Sequence, residues 1–186
     1  MNAMELLSTR RSVSKLVDPA PDDATLERVL GASLRAPDHG AVRPWRIVIV
    51  KGAERAALGE LLASSERSRD PAIDEAKLDA TRKKALRAPM ILVVACTPKA
   101  HPKVPEIKQV LSTGCVAHGI LLGLQAEGFG AVWKTGPAAY DFEVKTRLGL
   151  AGTDHIVGFL YVGTAAVEPP ELHRPSSSDH VRVWGG

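Results

Sequence analysis

Residues 112–136 read STGCVAHGILLGLQAEGFGAVWKTG. The first part of this stretch, extended back to 105, predicts one long helix over 105–127, with Val110, Leu111, Val116, Ile120, Leu121 and Leu124 as its apolar positions. Gly128-Phe129-Gly130 breaks the pattern, and residues 128–136 run into a strand. The order is helix, glycine turn, strand. A dinucleotide fingerprint needs the reverse, a strand and glycine loop opening a helix whose N-terminus meets the phosphates. The stretch therefore argues against a Rossmann fold. It also asks what the small residues are for: Gly114, Ala117, Gly119 and Gly123 would let a second helix or a flat ligand come close.

Working outward, three more β-rich runs predict strands: WRIVIVK at 45–51, PMILVVACT at 89–97 and HIVGFLYVGTA at 155–165. A short apolar segment (Met4, Leu6, Leu7) opens the chain. Residues 22–35 predict a helix, with Asp22 or Asp23 as N-cap and Pro37 as the stop. Residues 53–68 and 72–87 read as charged helices, and 141–149 as a short one. Pairs of helices between strands do not fit simple βαβ alternation. The expectation is an α+β domain over residues 1–165, one sheet covered by helices with the long helix central. The remainder, 166–186, is rich in Pro and Ser and has no core of its own. It either wraps another subunit or is a free end.

The chain has 186 residues, enough for one domain with a sizeable core. Its net charge of +3 suits an anionic ligand, but the basic residues are scattered, so nucleic acid is not expected as a partner. Cys96 and Cys115 lie in apolar stretches and read as small buried residues of a reducing compartment. No secretory pattern opens the sequence, and no apolar run reaches the ~18 residues that span a bilayer, so the expectation is a cytoplasmic protein without a membrane partner. There is no Walker sequence, no G-x-S-x-G and no H-x-x-x-H pair, and no metal is expected.

Four stretches remain as candidates. Arg10-Arg11-Ser12, within TRRSVSKL (9–16), is either a solvated helix end or a phosphate socket, since guanidinium forks grip phosphate oxygens. RAPDHGAVRPW (35–45) places Arg35 at a helix end and His39 in a turn. The small-residue helix 114–128 is the third. Trp133-Lys134-Thr135-Gly136, at a strand end, is the fourth; its Trp reads as core or as a cofactor contact.

Taken in order, "RRSVSKL", "RAPDHGAVRPW", "HPKVPEIKQ", "STGCVAHGILLGLQAEGFGAVWKTG" and "IVGFLYVGT" resemble the flavin-dependent nitroreductase family, in its short bacterial branch, over essentially the whole chain. The block "AEGFGAVWKTG" followed by "IVGFLYVGT" is the specific part. The resemblance implies a central, mostly antiparallel sheet flanked by helices on both faces, in an intertwined homodimer with two FMN sites at the interface. It implies that Arg10, Arg11 and Ser12 bind the FMN phosphate and ribityl chain. It implies that Arg35 reaches a flavin held mainly by the partner subunit, that His39 touches FMN, and that Trp133, Lys134 and Thr135 line the flavin. It associates Gly123, Leu124, Gln125, Ala126, Glu127 and Gly128 with nicotinamide binding.

Three positions depart from the family pattern. Ser14 stands where many relatives carry a Lys or Arg near the flavin pyrimidine, Ala41 precedes Val42-Arg43-Pro44-Trp45 where an Asn is common, and Lys134-Thr135 replaces Arg-Ser. Arg43 or His39 are the candidates for the charge missing at position 14. The implied activity is two-electron transfer from NADH or NADPH to a flat oxidised acceptor, such as a nitroaromatic or quinone, with donor and acceptor alternating in one cavity. The flavin carries the chemistry, so no catalytic side chain is singled out. The alternatives are an FMN-binding protein with no turnover, or, without the resemblance, a small basic adaptor.

Overall fold

The computed structural model of the chain describes residues 2–168 and 175–185. Five antiparallel strands form the sheet: β1 (Leu16–Val17), β2 (Trp45–Lys51), β3 (Met90–Cys96), β4 (Gly130–Lys134) and β5 (His155–Ala165). The hub is β5, which pairs with β3 along one side and β4 along the other, while its C-terminal end takes β1. On the far side of β3, β2 is an edge strand. All seven residues of β3 are buried, as its unbroken apolar run requires of a strand covered on both faces.

Among the described residues six α-helices cover the sheet: α1 (Ala3–Thr9), α2 (Asp23–Ser33), α3 (Glu54–Arg69), α4 (Glu75–Lys84), α5 (Glu106–Ala126) and α6 (Phe142–Arg147). The period of two in β3 divides them. Leu92 and Val94 meet Leu26 and Val29 of α2 and Val116, Ile120 and Leu124 of α5. Ile91 and Val93 meet Leu58 and Leu62 of α3 and Val144 of α6 on the opposite face. The α+β layout, helices on both faces and the long helix at the centre of one, is as expected.

Two of the small residues of α5, Gly119 and Gly123, serve a helix. A Cβ at Gly123 would stand 3.0 Å from Val29 Cγ1, and one at Gly119 would stand 3.3 Å from Ser33 Cβ. Those contacts let α2 seat closely on α5.

The structure corrects several expectations. There are five strands, not four, because the two-residue β1 is too short to show a period. Cys96 is buried, and burial pushes its thiol up, but Cys115 is exposed. It shares an outward stripe of α5 with Ile107, Leu111 and His118. The helix begun at Asp23 ends at Ser33, so Arg35 lies in the following turn and Pro37 comes after the stop. By length and composition alone α5 could cross a membrane, contrary to the reading that no segment was long enough; here 44% of that window is buried inside the molecule. Of the expected tail, 166–168 and 175–185 are described, whereas 169–174 and 186, like Met1, lie outside the described residues.

Candidate active site

On the face covered by α3 and α6 a cleft of about 380 Å³ remains open, in the size range of small-molecule sites. Its floor is apolar: Leu62, Val132, Phe159 and Tyr161, with Pro137 and Ala138 from the turn after β4. Its polar lining is Ser14, Glu66, Arg69, Thr81, Lys84, Arg87, Lys134 and Thr135. The strand period decides which part of β4 enters. Val132 and Lys134 face the cleft, whereas Ala131 and Trp133 pack against the α2–α5 core.

The chain segment after α1 is an extended strap laid beside β4. The Val13 amide donates to the Ala131 carbonyl at 2.9 Å. Val13 and Leu16 are buried against Gly130, where a Cβ would stand 3.0 Å from Leu16 Cδ2 and 3.1 Å from Val13 Cβ. Alternation then sends Ser14 to the cleft. This is the structural use of TRRSVSKL: two apolar anchors, Val13 and Leu16, with one hydroxyl and one cation between them and Arg10, Arg11 and Ser12 before them.

The wall opposite is the pair α3 and α4. A Cβ at Gly59 would fall 2.6 Å from the Arg82 carbonyl oxygen, so glycine is what lets α4 approach. Ion pairs Arg82–Glu60 (2.8 Å) and Arg67–Glu75 join the two helices at the surface. Lys84 Nζ donates to Thr81 Oγ1 at 2.8 Å, and the Thr81 hydroxyl donates to Glu66. Arg69 donates to Ser65 Oγ at 2.5 Å and lies 3.5 Å from Asp141. The side chains of Arg87 and Lys134 have no hydrogen-bond or ion-pair partner among the described residues. Burial alone would push the Asp141 carboxyl up. Hydrogen bonds from Ser65 and from the Val144 and Glu143 amides, with Arg69 beside it, hold it below the usual carboxylate value instead. Burial pushes the Tyr161 phenol up, and the charge of Arg87 opposes this.

The expected site residues are distributed as follows. Lys134 and Thr135 line the cleft. Trp133 does not: its indole lies over Gly158 on the other face and donates to the Val157 carbonyl at 3.1 Å. Arg10 and Arg11 are half-buried and Ser12 is exposed on the strap; Arg11 lines a second hollow of about 300 Å³ with Gln125, Gly128 and Phe129. Arg35 and His39 are exposed on the α2–α5 side, where Ser112 of α5 donates to the Pro37 carbonyl at 2.8 Å. Within one chain they stand across the sheet from the cleft. Of the stretch 123–128, Gly123 and Leu124 are packing residues, Gln125 donates to Thr9 Oγ1 at 3.0 Å, and Glu127 pairs with Arg28 at 2.9 Å. Ala126 and Gly128 are exposed.

The loop carrying His39 is strained. Ala41 (φ 51°) and Arg43 (φ 50°) are left-handed without being glycine, which costs roughly 1–3 kcal/mol each. The loop is held by the Arg43 amide donating to Asp38 Oδ2 at 2.7 Å and by Lys99 Nζ donating to the Val42 carbonyl at 2.8 Å. Five cleft residues were not anticipated: Glu66, Arg69, Thr81, Lys84 and Arg87. Their signal was the spacing 81, 84, 87 and 66, 69, which puts hydroxyl and charge on one side of each helical segment.

The sequence pattern of the nitroreductase family matches residues 7–164. The chain is 38% identical over 167 residues to the protein named "Putative NAD(P)H nitroreductase YdjA" of Escherichia coli (strain K12), covering 88% of each chain. Among solved structures, a nitroreductase-like family protein from Bacillus cereus superposes with a TM-score of 0.86 at 22% identity, over 100% of this chain and 97% of the other. The FMN-dependent nitroreductase NfnB of Mycobacterium smegmatis, solved with NADPH, superposes at 0.74 and 17% identity over 97% of each.

Proposed function

The chain belongs to the nitroreductase family, and from that premise we propose that it is an FMN-dependent oxidoreductase using NADH or NADPH to reduce flat oxidised acceptors such as nitroaromatics and quinones. The observation that carries this reading is the cleft: an apolar slot rimmed by hydroxyls and cations, the donor set that suits a flat ring system with polar, hydrogen-bond-accepting edges. The FMN and NADPH named for NfnB of Mycobacterium smegmatis support the choice of cofactor and donor.

In this reading Arg10, Arg11 and Ser12 would hold the FMN phosphate, and Lys134 and Thr135, which line the cleft, would hold its ring system. Bound there, FMN would supply the two-electron chemistry between a reduced nicotinamide and the acceptor. The chain's own residues bind and orient. Lys84, fixed by Thr81 and Glu66, supplies the positive charge that Ser14 lacks, in place of Arg43 or His39. The apolar floor excludes water from the stacked reactants. A nitro group, NAD(P)H and a proton give a nitroso group, NAD(P)+ and water; a quinone, NAD(P)H and a proton give a hydroquinone and NAD(P)+. One slot cannot hold donor and acceptor together, so they alternate.

Arg35 and His39 reach such a site only if a second copy brings them, which supports a homodimer with the flavin at the interface. The outward stripe Ile107, Leu111 and Cys115 of α5 suits such an interface. So do Val181, Val183 and Trp184, 66%, 83% and 99% exposed, in the tail beyond the 1–165 domain. The test is the absorbance spectrum of the purified protein, before and after anaerobic addition of NADH. A flavin spectrum bleached by NADH and restored by menadione is expected. A colourless protein that takes up no FMN overturns the reading, and a flavin that neither NADH nor NADPH bleaches leaves a binder without turnover.

A further inference from the structure

The connection from α2 to β2 is held more firmly than a connection needs. Gly40 (φ 73°), Ala41 (φ 51°) and Arg43 (φ 50°) are all left-handed, and only the first is glycine. Strain of this kind persists only where the surroundings over-determine the backbone. Here they do. Asp38 Oδ2 accepts from the Arg43 amide at 2.7 Å. The Pro44 carbonyl accepts from the Thr97 amide at 2.6 Å and from the Thr97 hydroxyl at 2.9 Å. Lys99 Nζ donates to the Val42 carbonyl at 2.8 Å and to the Arg43 carbonyl at 3.4 Å. Those two carbonyls flank the Arg43 Cα, so one ammonium fixes both sides of a left-handed residue.

Lys99 is itself clamped. Gln109 of α5, 2% exposed, accepts from the Lys99 amide at 2.9 Å and donates to the Lys99 carbonyl at 2.8 Å and the Val104 carbonyl at 3.2 Å. A buried amide without partners is costly, so Gln109 and the segment 99–104 specify each other. Val104 then packs under the strained loop, where a Cβ at Gly40 would stand 3.1 Å from Val104 Cγ2. The contacts run from the core helix through Gln109 and Lys99 to the backbone of 39–43, and the side chain they present is the exposed His39. Glycine at 41 and 43 would join α2 to β2 without strain. Alanine and arginine there, with Lys99 and Gln109 to hold them, give up that freedom for one fixed loop shape.

We propose that Lys99, held by Gln109, is a positioning residue: it locks the 39–43 loop in the shape that presents His39 to the flavin site of a second copy. This rests on the shared-site reading and deepens it.

The experiment counts FMN sites rather than turnovers. Lys99→Met keeps the stem and removes the ammonium. In a fluorescence-quenching titration its FMN Kd should rise about tenfold, the order of a lost charge-assisted hydrogen bond. Hydrogen exchange at the Arg43 amide should quicken by about tenfold, while the β3 amides stay protected as in the parent. Ala41→Gly added to Lys99→Met should recover part of the affinity, because glycine keeps the left-handed form without help. The decisive step mixes chains. Unfolded and refolded with Arg10→Ala chains, Lys99→Met chains should give parental-affinity FMN sites at roughly a quarter of the total, since half the dimers are mixed and each has one site without either lesion. Refolded with Arg35→Ala chains they should give none, because every site then carries one lesion. If Lys99→Met does not fold, Lys99→Gln, which is shorter and uncharged, replaces it in the same mixtures. A variant that binds FMN as the parent does overturns the inference. Parental sites with both partners, with neither, or with Arg35→Ala alone overturn it too, and leave the shared site standing if Arg10→Ala and Arg35→Ala complement each other. If those two do not, the failure lies in the shared-site reading, and this inference falls with it.

Discussion

The two faces of the sheet are filled by opposite means. On the α2–α5 face, glycines bring backbones together and the central apolar side chains are covered completely: Leu92, Val94 and Leu160 of the strands and Ile120 and Leu124 of α5 have no exposed surface. On the α3–α6 face the same strands supply Phe159, Tyr161 and Val132, but the helices stop short and leave a slot. The strand β4 serves both, giving Trp133 to the closed face and Lys134 to the open one. A sheet of this kind is rigid because one side is packed to interior density. It can bind because the other side is not.

The most severe test of this division is genetic complementation between faces. Arg35 belongs to the closed face and Arg10 to the strap beside β4, so a shared site needs two chains. Arg10→Ala and Arg35→Ala should each abolish activity as homodimers. Unfolded, mixed and refolded with FMN, they should regain roughly a quarter of parental NADH oxidation, because random pairing gives half mixed dimers with one intact site each. No recovery, with mixed dimers confirmed by tag pull-down, would confine Arg35 to its own chain.

Stability should divide as sharply. Leu124→Ala, at a fully buried position of the closed face, should cost about 2–5 kcal/mol in urea unfolding. Lys134→Gln, on the open face, should stay within about 0.5 kcal/mol of the parent. Comparable losses at the two positions would mean the cleft side is packed as the core is.

How much of this was legible in the sequence follows the same division. The closed face is written in apolar periodicity, which is why β5 was bounded correctly from HIVGFLYVGTA and the long helix to within a residue at each end. The cap was readable as Asp22 or Asp23, and it is Asp22 whose carboxylate accepts from the Thr25 amide at 2.7 Å. The open face was not legible. Lys84, Arg87 and Glu66 look on paper like any solvated helix charge, and only the tertiary placement of α4 against Gly59 turns them toward a slot. Cys115 misled for a related reason: apolar neighbours in sequence include Leu111, which itself points outward. The nitroreductase resemblance named Lys134 and Thr135 but could not say that Trp133, between Val132 and Lys134, turns the other way.

Trp133 gives a third test. A Cβ at Gly158 would stand 2.0 Å from Trp133 Nε1 and 2.6 Å from its Cδ1. Gly158→Ala should therefore destabilise by about 1–3 kcal/mol through overpacking. Trp133→Leu alone leaves a hole, but combined with Gly158→Ala it should recover part of the loss. Additive losses would show that the indole does not rest on Gly158.

The smallest effect concerns the polar network that holds the open face. Asp141 caps α6, accepts from Ser65 Oγ at 2.6 Å and from the Val144 amide at 3.0 Å, and pairs with Arg69 at the cleft. Burial works against its charge, but the hydrogen bonds and Arg69 outweigh burial and its folded pKa is lowered. A lowered carboxylate contributes stability that is fully present above the unfolded value, near 3.9, and is lost as the pH falls through the folded value. Asp141→Asn keeps the cap, since Asn serves that position as well as Asp, but removes the titration. The variant should therefore have a slightly lower urea midpoint at pH 7, and the gap to the parent should close as the pH falls from 5 toward 2. Other lowered carboxylates, Asp22 and Glu127 among them, give both proteins a common acid slope, so the difference between the two curves is the measurement. The closed face offers no counterpart, because Leu124→Ala should cost the same at pH 7 and at pH 3. A gap for Asp141→Asn that stays constant across that range would mean the carboxylate's charge does not hold the cleft.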